Sequence, residues 1–271
     1  MSTLQTPSLA SLHRYPVKSM MGEELNSAKV TQWGLQGDRA FALCDVETRK
    51  IASAKNPKKW PGLFNFRAAY VNPPGEQATL PAARVTLPDG RTCLTNSSGF
   101  SQMVSSALGR EVTLLSAAPE GAQLEEYWPD MDGLAHRDFV TDENMPAGTF
   151  FDLAVLHILT TSTIDKYRQL YPAGRFEPRR FRPNLIINTS GMEGFVENDW
   201  HGKTLAIGPE VKVHITGPCG RCVMTTLAQG DLPRDPGILK TAAKFNEVRI
   251  GIYASVIQPG AVKIGDPVSI I

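Results

Sequence analysis

The strongest chemical signal in this 271-residue chain is a pair of cysteines, Cys219 and Cys222, separated by two residues. This C-x-x-C spacing occurs in zinc sites and in redox-active dithiols, and it also fits a site with one functional thiolate. A zinc site needs two further ligands at matching spacing, whereas Cys44 and Cys93 lie far upstream and are not paired in the sequence. A buried structural cysteine is the simplest alternative. Spacing alone leaves these interpretations open.

The residues around the pair favour a single thiolate. A thioredoxin-like dithiol opens a helix, because the helix N-terminus lowers the thiol pKa. The flanks Val211 to Thr216 and Val223 to Leu227 instead have the pattern of strands. Arg221 directly precedes Cys222, and a guanidinium neighbour favours the thiolate. Because thiolates prefer soft or high-valent metals over calcium and magnesium, Cys222 is a candidate metal ligand.

Several polar residues lie at the boundaries of predicted elements, where binding sites are usually built. Lys18 and Ser19 place an ammonium beside a hydroxyl, and Arg39 follows a turn at the start of a strand. Arg182 and Asn184 precede a buried strand, and a guanidinium can bind an oxyanion through two hydrogen bonds. Together these residues predict a site for an anionic, phosphate-bearing ligand.

Other catalytic motifs are missing from the sequence. It contains no G-x-S-x-G motif and no glycine-rich phosphate loop. Trp200 is expected to be a core residue or a lid. The histidines lack metal-ligand spacing, so we interpret them as structural or surface residues: His13, His136, His157, His201 and His214.

Composition restricts the class of protein. Lys and Arg number 28 and Asp and Glu 27, so the formal net charge is +1. That balance argues against a broadly basic nucleic-acid binder and against a polybasic membrane anchor. The N-terminal residues 1–12 lack a basic region followed by an apolar core, so no secretory signal is expected. We therefore predict a cytoplasmic protein whose cysteines stay reduced, with neither nucleic acid nor membrane as a partner.

Many short apolar runs bounded by Gly and Pro predict a mainly β fold with some α, in two β-barrel-like domains with a few short helices. At about 100–200 residues per domain, two domains fit the length. We predict domains over 1–118 and 149–271, joined by a connecting segment over 119–148 that is rich in Pro, Gly and acids. Local patterns predict a hairpin over Arg84 to Leu94 and helices over Ser101 to Leu108, Ser162 to Tyr171 and Pro236 to Phe245, the second capped by Ser162 or Thr163.

Taken in order, these motifs resemble the MOSC domain, which is the C-terminal domain of molybdenum cofactor sulfurases and their relatives. The resemblance rests on Arg182-Pro183-Asn184-Leu185, on the loop with Trp200, and on the run from Pro218 to Thr226. The segments 15–19 and 34–39 resemble the N-terminal β-barrel domain that accompanies it. The chain is also similar to the mitochondrial amidoxime reducing components and to bacterial reductases of N-hydroxylated bases.

The resemblance implies a molybdenum cofactor (molybdopterin) held between the two domains. In the family, the cysteine after the arginine ligates molybdenum, which here is Cys222, and Cys219 is then a neighbour. The positions that contact the pterin and its phosphate correspond to Lys18, Ser19, Arg39, Arg182, Asn184, Arg221 and Thr225.

The implied activity is molybdenum-dependent reduction of N-hydroxylated small molecules, such as hydroxylamines and amidoximes, to amines. No cysteine follows Cys222, so the iron–sulfur cluster of some relatives is missing from the sequence. The electrons are then expected from a separate heme, flavin or ferredoxin-type protein. An alternative is a cofactor carrier or sulfur-transfer module that binds the cofactor or a persulfide at Cys222. A dithiol redox protein that uses Cys219 and Cys222 is a further alternative.

Overall fold

The computed structural model describes residues 6–75, 79–130, 136–189 and 191–271. Part of the predicted connecting segment, residues 131–135, lies outside the described residues. The strands are, in chain order, β1 (Ser8–Arg14), β2 (Glu23–Leu25), β3 (Ser27–Thr31), β4 (Gly34–Leu35), β5 (Ala42–Asp45), β6 (Arg67–Tyr70), β7 (Ala83–Thr86), β8 (Thr92–Leu94), β9 (Val112–Leu115), β10 (Gln123–Trp128), β11 (Phe139–Asn144), β12 (Leu156–Thr160), β13 (Leu185–Asn188), β14 (Thr204–Ile207), β15 (Val211–Gly220), β16 (Arg249–Gln258), β17 (Gly260–Lys263) and β18 (Val268–Ile270). The α-helices are α1 (Phe100–Leu108), α2 (Thr161–Leu170) and α3 (Gly237–Asn246), and short 3-10 helices cover Leu63–Asn65, Pro178–Arg180, Val196–Trp200 and Val223–Thr226. The predicted fold class, mainly β with a few short helices, is confirmed.

The largest sheet has eight strands in the order β18-β14-β15-β16-β12-β13-β1-β2. Its neighbours are antiparallel except β12 and β13, which are parallel. Along β15, Val211, Val213 and Ile215 are buried and alternate with more exposed residues, as their period of two predicts. The sheet curves until Ser8 bridges Pro267 near the opposite edge. This contact is a single bridge, so the described sheet is not a fully closed barrel.

Smaller sheets organise the rest of the first half. They comprise β6-β7-β8, β5-β9 and β3-β4, the last extended by β17 from the C-terminal end. Trp60, Phe66 and Phe100 are among the large side chains of the core that β6-β7-β8 and β5-β9 enclose, whereas Val30 and Val262 of the third sheet pack in the core of the large sheet. Because β1 joins the large sheet and β17 joins a small one, strands from both halves share sheets. The domain limits at 118 and 149 stay a prediction.

The segment expected to be a plain connection contains the antiparallel hairpin β10–β11. On the face that packs inward, Leu124 and Glu126 are buried. Ile51 bridges Leu124, and Lys50 and Lys59 form ion pairs with Glu125. The acidic composition that suggested a loop instead supplies carboxylates that fasten this hairpin to the first half of the chain.

Most local predictions agree with the structure. Helices α1 and α3 and the hairpin β7–β8 lie where they were expected, and Trp200 packs in the core of the large sheet. The predicted N-caps of α2 are wrong, because Thr160 is the cap and its hydroxyl accepts a hydrogen bond from Thr163 N at 3.3 Å. None of the helices in the described ranges is both long and apolar enough to cross a membrane.

The prediction of a strand over Val223 to Leu227 is wrong. Strand β15 continues through Cys219 to Gly220, and the chain then forms a 3-10 turn over Val223–Thr226. Register shifts between β15 and β16 accompany this end of the strand. Cys222 is therefore in an extended conformation between a strand and a tight turn.

Candidate functional site

A cavity of about 470 Å³ lies where loops of the first half meet the ends of large-sheet strands. Its volume is in the range of small-molecule and cofactor sites. The cavity brings together most of the residues that the sequence singled out: Lys18, Ser19, Arg39, Arg182, Asn184, Arg221 and Cys222. Thr225 does not line it. That residue is fully buried in the 3-10 turn, where its hydroxyl donates to Cys222 O at 3.0 Å.

Ser19, Arg39 and Arg182 share an uncommon backbone conformation. Their φ angles are 62°, 47° and 56°, in the left-handed region that costs non-glycine residues energy. Tertiary contacts hold them there: Ser19 Oγ accepts from Ala54 N at 3.1 Å, and Arg39 N donates to Tyr15 O at 2.8 Å. Strained residues of this kind cluster at functional sites, and these three line one cavity.

Two buried arginines present unused donors. Arg182 donates from Nη1 to Met20 O at 2.6 Å and stacks on the Tyr15 ring at 4.1 Å. Arg221 donates from Nη2 to Phe181 O at 2.9 Å. Arg182 Nη2 and Arg221 Nε have no hydrogen-bond partner among the described residues. Burial lowers the pKa of Arg182 to about 10, so the guanidinium stays charged at neutral pH. Because both arginines line the cavity, their charges favour an anionic ligand there.

A network of opposite charges forms the side of the cavity near Lys18. Its Nζ donates to Phe150 O at 2.8 Å and forms an ion pair with Asp152. Lys55 lies 3.7 Å from Asp152 and 2.9 Å from Glu126. Burial opposes ionisation of Asp152, but Lys18 and Lys55 hold the pKa of this carboxyl well below its usual range. Burial lowers the pKa of Lys18 despite Asp152. The network therefore fixes both lysines at the cavity wall.

Asn184 connects the two halves of the chain behind this wall. Its Nδ2 donates to Asp38 Oδ2 at 2.9 Å, and its Oδ1 accepts from His157 N at 3.1 Å. Asp38 also forms an ion pair with Arg39 and accepts from Tyr15 N at 2.7 Å. The buried amide thus orients Asp38, which in turn holds the Arg39 guanidinium at the cavity.

The two cysteines differ in their surroundings. Cys219 is fully buried, and Arg221 Nη1 donates to its Sγ at 2.7 Å. Burial opposes ionisation of Cys219, but Arg221 and His157 lower its pKa below the usual range. Cys222 is partly exposed to the cavity, and burial together with Glu126 raises its pKa to about 12. Arg221 does lower the pKa of Cys222, in the direction expected from the sequence, but burial and Glu126 outweigh it, and the guanidinium makes its hydrogen bond to Cys219 instead.

Several cavity residues were not predicted from the sequence: Lys55, Glu126, Trp128, Asp152, His157 and Tyr253. His157 was interpreted as structural or surface, and its side chain both borders the cavity and bonds Ile250 O at 3.2 Å. Lys55 had a weak signal, since it lies in a basic, proline-containing stretch. The others sit in elements whose contacts with the cavity are long-range.

These residues fit a molybdenum cofactor. In the part of the chain that the structure describes, no group of three or more His, Cys, Asp and Glu side chains is arranged to hold a metal ion. Of the two cysteines that line the cavity, Cys219 is buried and Cys222 is partly exposed, so Cys222 is the candidate soft ligand for a metal held there by a cofactor. Metal coordination deprotonates a thiol, which removes the obstacle of its raised pKa. The partnerless guanidinium nitrogens suit a phosphate-bearing group.

Comparisons with known proteins agree with the sequence motifs. The family model for the MOSC domain matches residues 148–269, and the model for the MOSC N-terminal beta barrel domain matches residues 6–111. The human protein named mitochondrial amidoxime reducing component 2 is 23% identical over 97% of this chain and 83% of its own length. Its counterpart in Macaca fascicularis is 26% identical over the same shares.

A solved structure of the YUAD protein from Bacillus subtilis aligns with 98% of this chain and 96% of its own, at 12% identity and a TM-score of 0.49. The two family models follow each other along the chain in the order that the motifs predicted. The chain therefore belongs to the proteins that combine a MOSC N-terminal β-barrel domain with a MOSC domain.

Proposed function

We propose that this protein is a molybdenum-cofactor-dependent oxidoreductase that reduces N-hydroxylated compounds, such as amidoximes and hydroxylamines, with electrons from a separate donor protein. The observation that carries the proposal is the cavity that Cys222 shares with several buried cationic residues, Lys18, Arg182 and Arg221 among them. Similarity to proteins named amidoxime reducing components supports the reaction class.

In this proposal Cys222 is the metal ligand. Lys18, Ser19, Arg39, Arg182 and Arg221 hold the pterin and its phosphate, the cations through charge-assisted hydrogen bonds. Asn184 acts from behind them, by orienting Asp38 and through it Arg39. When bound, the cofactor supplies two-electron redox chemistry at the metal.

The protein's own contribution is orientation. Arg221 spans Cys219 Sγ and Phe181 O, at 2.7 and 2.9 Å, so its backbone is fixed directly before Cys222. The Thr225 hydroxyl fixes the carbonyl of Cys222 from the other side. Because Arg221 and the carbonyl of Cys222 are both held by hydrogen bonds, the Cys222 side chain remains directed at the cavity. This explains roles for Arg221 and Thr225 that need no direct contact with a substrate.

Metal analysis of protein made in a cofactor-competent host tests the proposal. We expect about one molybdenum per chain, as one site requires, with loss in Cys222→Ala and retention in Cys219→Ala. Equal loss in both variants would favour a two-cysteine site. The loaded protein should also reduce benzamidoxime with a reduced viologen dye as donor. A loaded protein that reduces no amidoxime or hydroxylamine would contradict the reductase and favour a cofactor carrier.

A further inference from the structure

The hairpin β10–β11 forms one wall of the cavity. In its register Glu126 lies opposite Thr141, and Leu124 lies opposite Glu143. Directly paired residues of an antiparallel hairpin project from the same face, which also carries Trp128. Glu126, Trp128 and Glu143 all line the cavity. A single face of the hairpin therefore presents two carboxylates and an indole to whatever the cavity holds.

The carboxylates of the cavity differ in their partners. Asp152 is paired with Lys18 and Lys55, and Glu126 accepts from Lys55 Nζ at 2.9 Å. Glu143 accepts only from the Thr141 hydroxyl, at 2.6 Å, and no ion pair to it occurs among the described residues. Its charge is therefore not neutralised by the protein. In a cavity rich in cations, Glu143 marks a local site for positive charge.

Apolar surface adjoins this carboxylate. Trp128 Nε1 donates to Thr141 Oγ1 at 2.8 Å, so Thr141 links the indole and Glu143 in one hydrogen-bonded unit. Leu153 also lines the cavity and is 68% exposed. A tryptophan fixed by its own hydrogen bond and an exposed leucine form a surface for an aromatic or aliphatic group.

We propose that this hairpin face is a substrate-selecting subsite, in which Glu143 attracts a positively charged substituent and Trp128 contacts the ring that carries it. The inference rests on the proposed function and names its substrate class: N-hydroxylated aromatic compounds with a cationic group remote from the N–O bond. Reduction of an amidoxime consumes two electrons and two protons and yields the amidine and water. Glu143 takes no part in that step and acts on binding.

Three benzamidoximes test the subsite in the molybdenum-loaded protein: the unsubstituted parent and its para-trimethylammoniomethyl and para-carboxylate derivatives. We expect Glu143→Gln to lower kcat/KM for the cationic probe by about fivefold, the upper range for a solvent-accessible ion pair. The change should appear in KM, with kcat altered less than about twofold, because the lost contact is equal in ground and transition states. The carboxylate probe should improve and the neutral probe should stay the same.

Asp142→Asn is the matched control. It removes the same charge from the neighbouring residue, which projects from the opposite face and pairs with Lys50 at 2.6 Å. We expect no change in the preference among the three probes. An equal effect of Glu143→Gln on all three probes, or the same shift in Asp142→Asn, would overturn the subsite.

The failure of the subsite and of the reductase can be told apart. If the loaded wild-type protein reduces none of the probes, the proposed function fails. Calorimetric titration of the trimethylammoniomethyl probe into the wild type and into Glu143→Gln then measures its binding and tests the subsite independently of catalysis. About fivefold weaker binding in the variant supports the subsite, since one ion pair is lost, and unchanged binding rejects it.

Discussion

Arg180 and Arg182 are two residues apart and both are buried, yet their guanidinium groups have opposite surroundings. Arg180 uses every nitrogen: Nε donates to Arg175 O, Nη1 to Thr225 O and Leu227 O, and Nη2 to Pro233 O. Arg182 donates from Nη1 to Met20 O, borders the cavity, and leaves Nη2 without a partner in the described part of the chain.

The difference separates two uses of a buried cation. A guanidinium whose donors are all satisfied by carbonyls stabilises the protein by itself, and here it fastens the loop that follows Cys222. A guanidinium with a buried free donor carries a desolvation cost that a bound ligand or an ordered water can offset. The contrast predicts that one substitution acts mainly on folding and the other mainly on loading with the cofactor.

The largest effect is expected for Arg180→Met. The variant leaves several buried carbonyls without a donor, and each such loss costs about 1–3 kcal/mol, so we expect the free energy of unfolding to fall by about 3 kcal/mol or more. Urea unfolding of cofactor-free protein measures it. Arg179→Met is the control, since Arg179 is partly exposed and pairs with Glu177 and Asp231 on the surface. Equal unfolding midpoints for the two variants would show that the carbonyl contacts contribute nothing.

Arg182→Met should give the reverse pattern. In cofactor-free protein it removes one carbonyl contact and the stacking on Tyr15, worth about 1 kcal/mol. Cofactor affinity should fall by about tenfold or more, because charge-assisted hydrogen bonds contribute about 1.5–3 kcal/mol. Molybdenum content after serial dialysis measures retention. Arg182→Lys keeps the charge but not the forked geometry, so it should retain an intermediate amount. If Arg182→Met retained all of its molybdenum, Arg182 would not be a residue that binds the cofactor.

The same two arginines explain how much the sequence could predict. Arg182 lies at a recognisable boundary, just before an apolar strand, and its chemistry pointed to an anion. Three of the four carbonyl partners of Arg180 lie 45 to 53 residues away along the chain, so no local pattern reveals them. These contacts also help explain the wrongly predicted strand over Val223 to Leu227: they hold two carbonyls of that segment in a turn. Tertiary contacts there override the β propensity of Val and Thr.

The hairpin β10–β11 was missed for a related reason. Its segment has the proline, glycine and acidic residues typical of loops. The carboxylates are nevertheless compatible with strands, because Lys50, Lys55 and Lys59 pair with three of them: Glu125, Glu126 and Asp142. The amino-acid composition of a segment gives its charges but does not show which residues those charges contact in the folded protein. The hairpin face that we propose selects the substrate is therefore the part of the site that was hardest to predict from the sequence.

Glu197 sets the limit of the comparison, because its Oε1 is also buried without a partner among the described residues but lies away from the cavity. Its Oε2 accepts from the hydroxyls of Thr160 and Thr163, both at 2.6 Å, at the N-terminus of α2. Burial raises the pKa of Glu197 above its ordinary value of 4.5, although both hydroxyls oppose the shift. Here burial of the unpartnered oxygen favours the uncharged carboxyl and does not point to a ligand.

A group with a raised folded-state pKa contributes stability that is fully present below its unfolded pKa and is lost as the pH rises through the folded value. Glu197→Gln keeps the uncharged shape, so its free energy of unfolding should match wild type near pH 4 and exceed it at pH 7. Urea midpoints at the two pH values measure this, with the exposed Glu193→Gln as a control that should follow wild type throughout. If Glu197→Gln were less stable than the wild type at pH 7, the folded protein would instead stabilise the charged carboxylate of Glu197. A free buried atom then marks a ligand site only where a cavity lies beside it, as it does at Arg182.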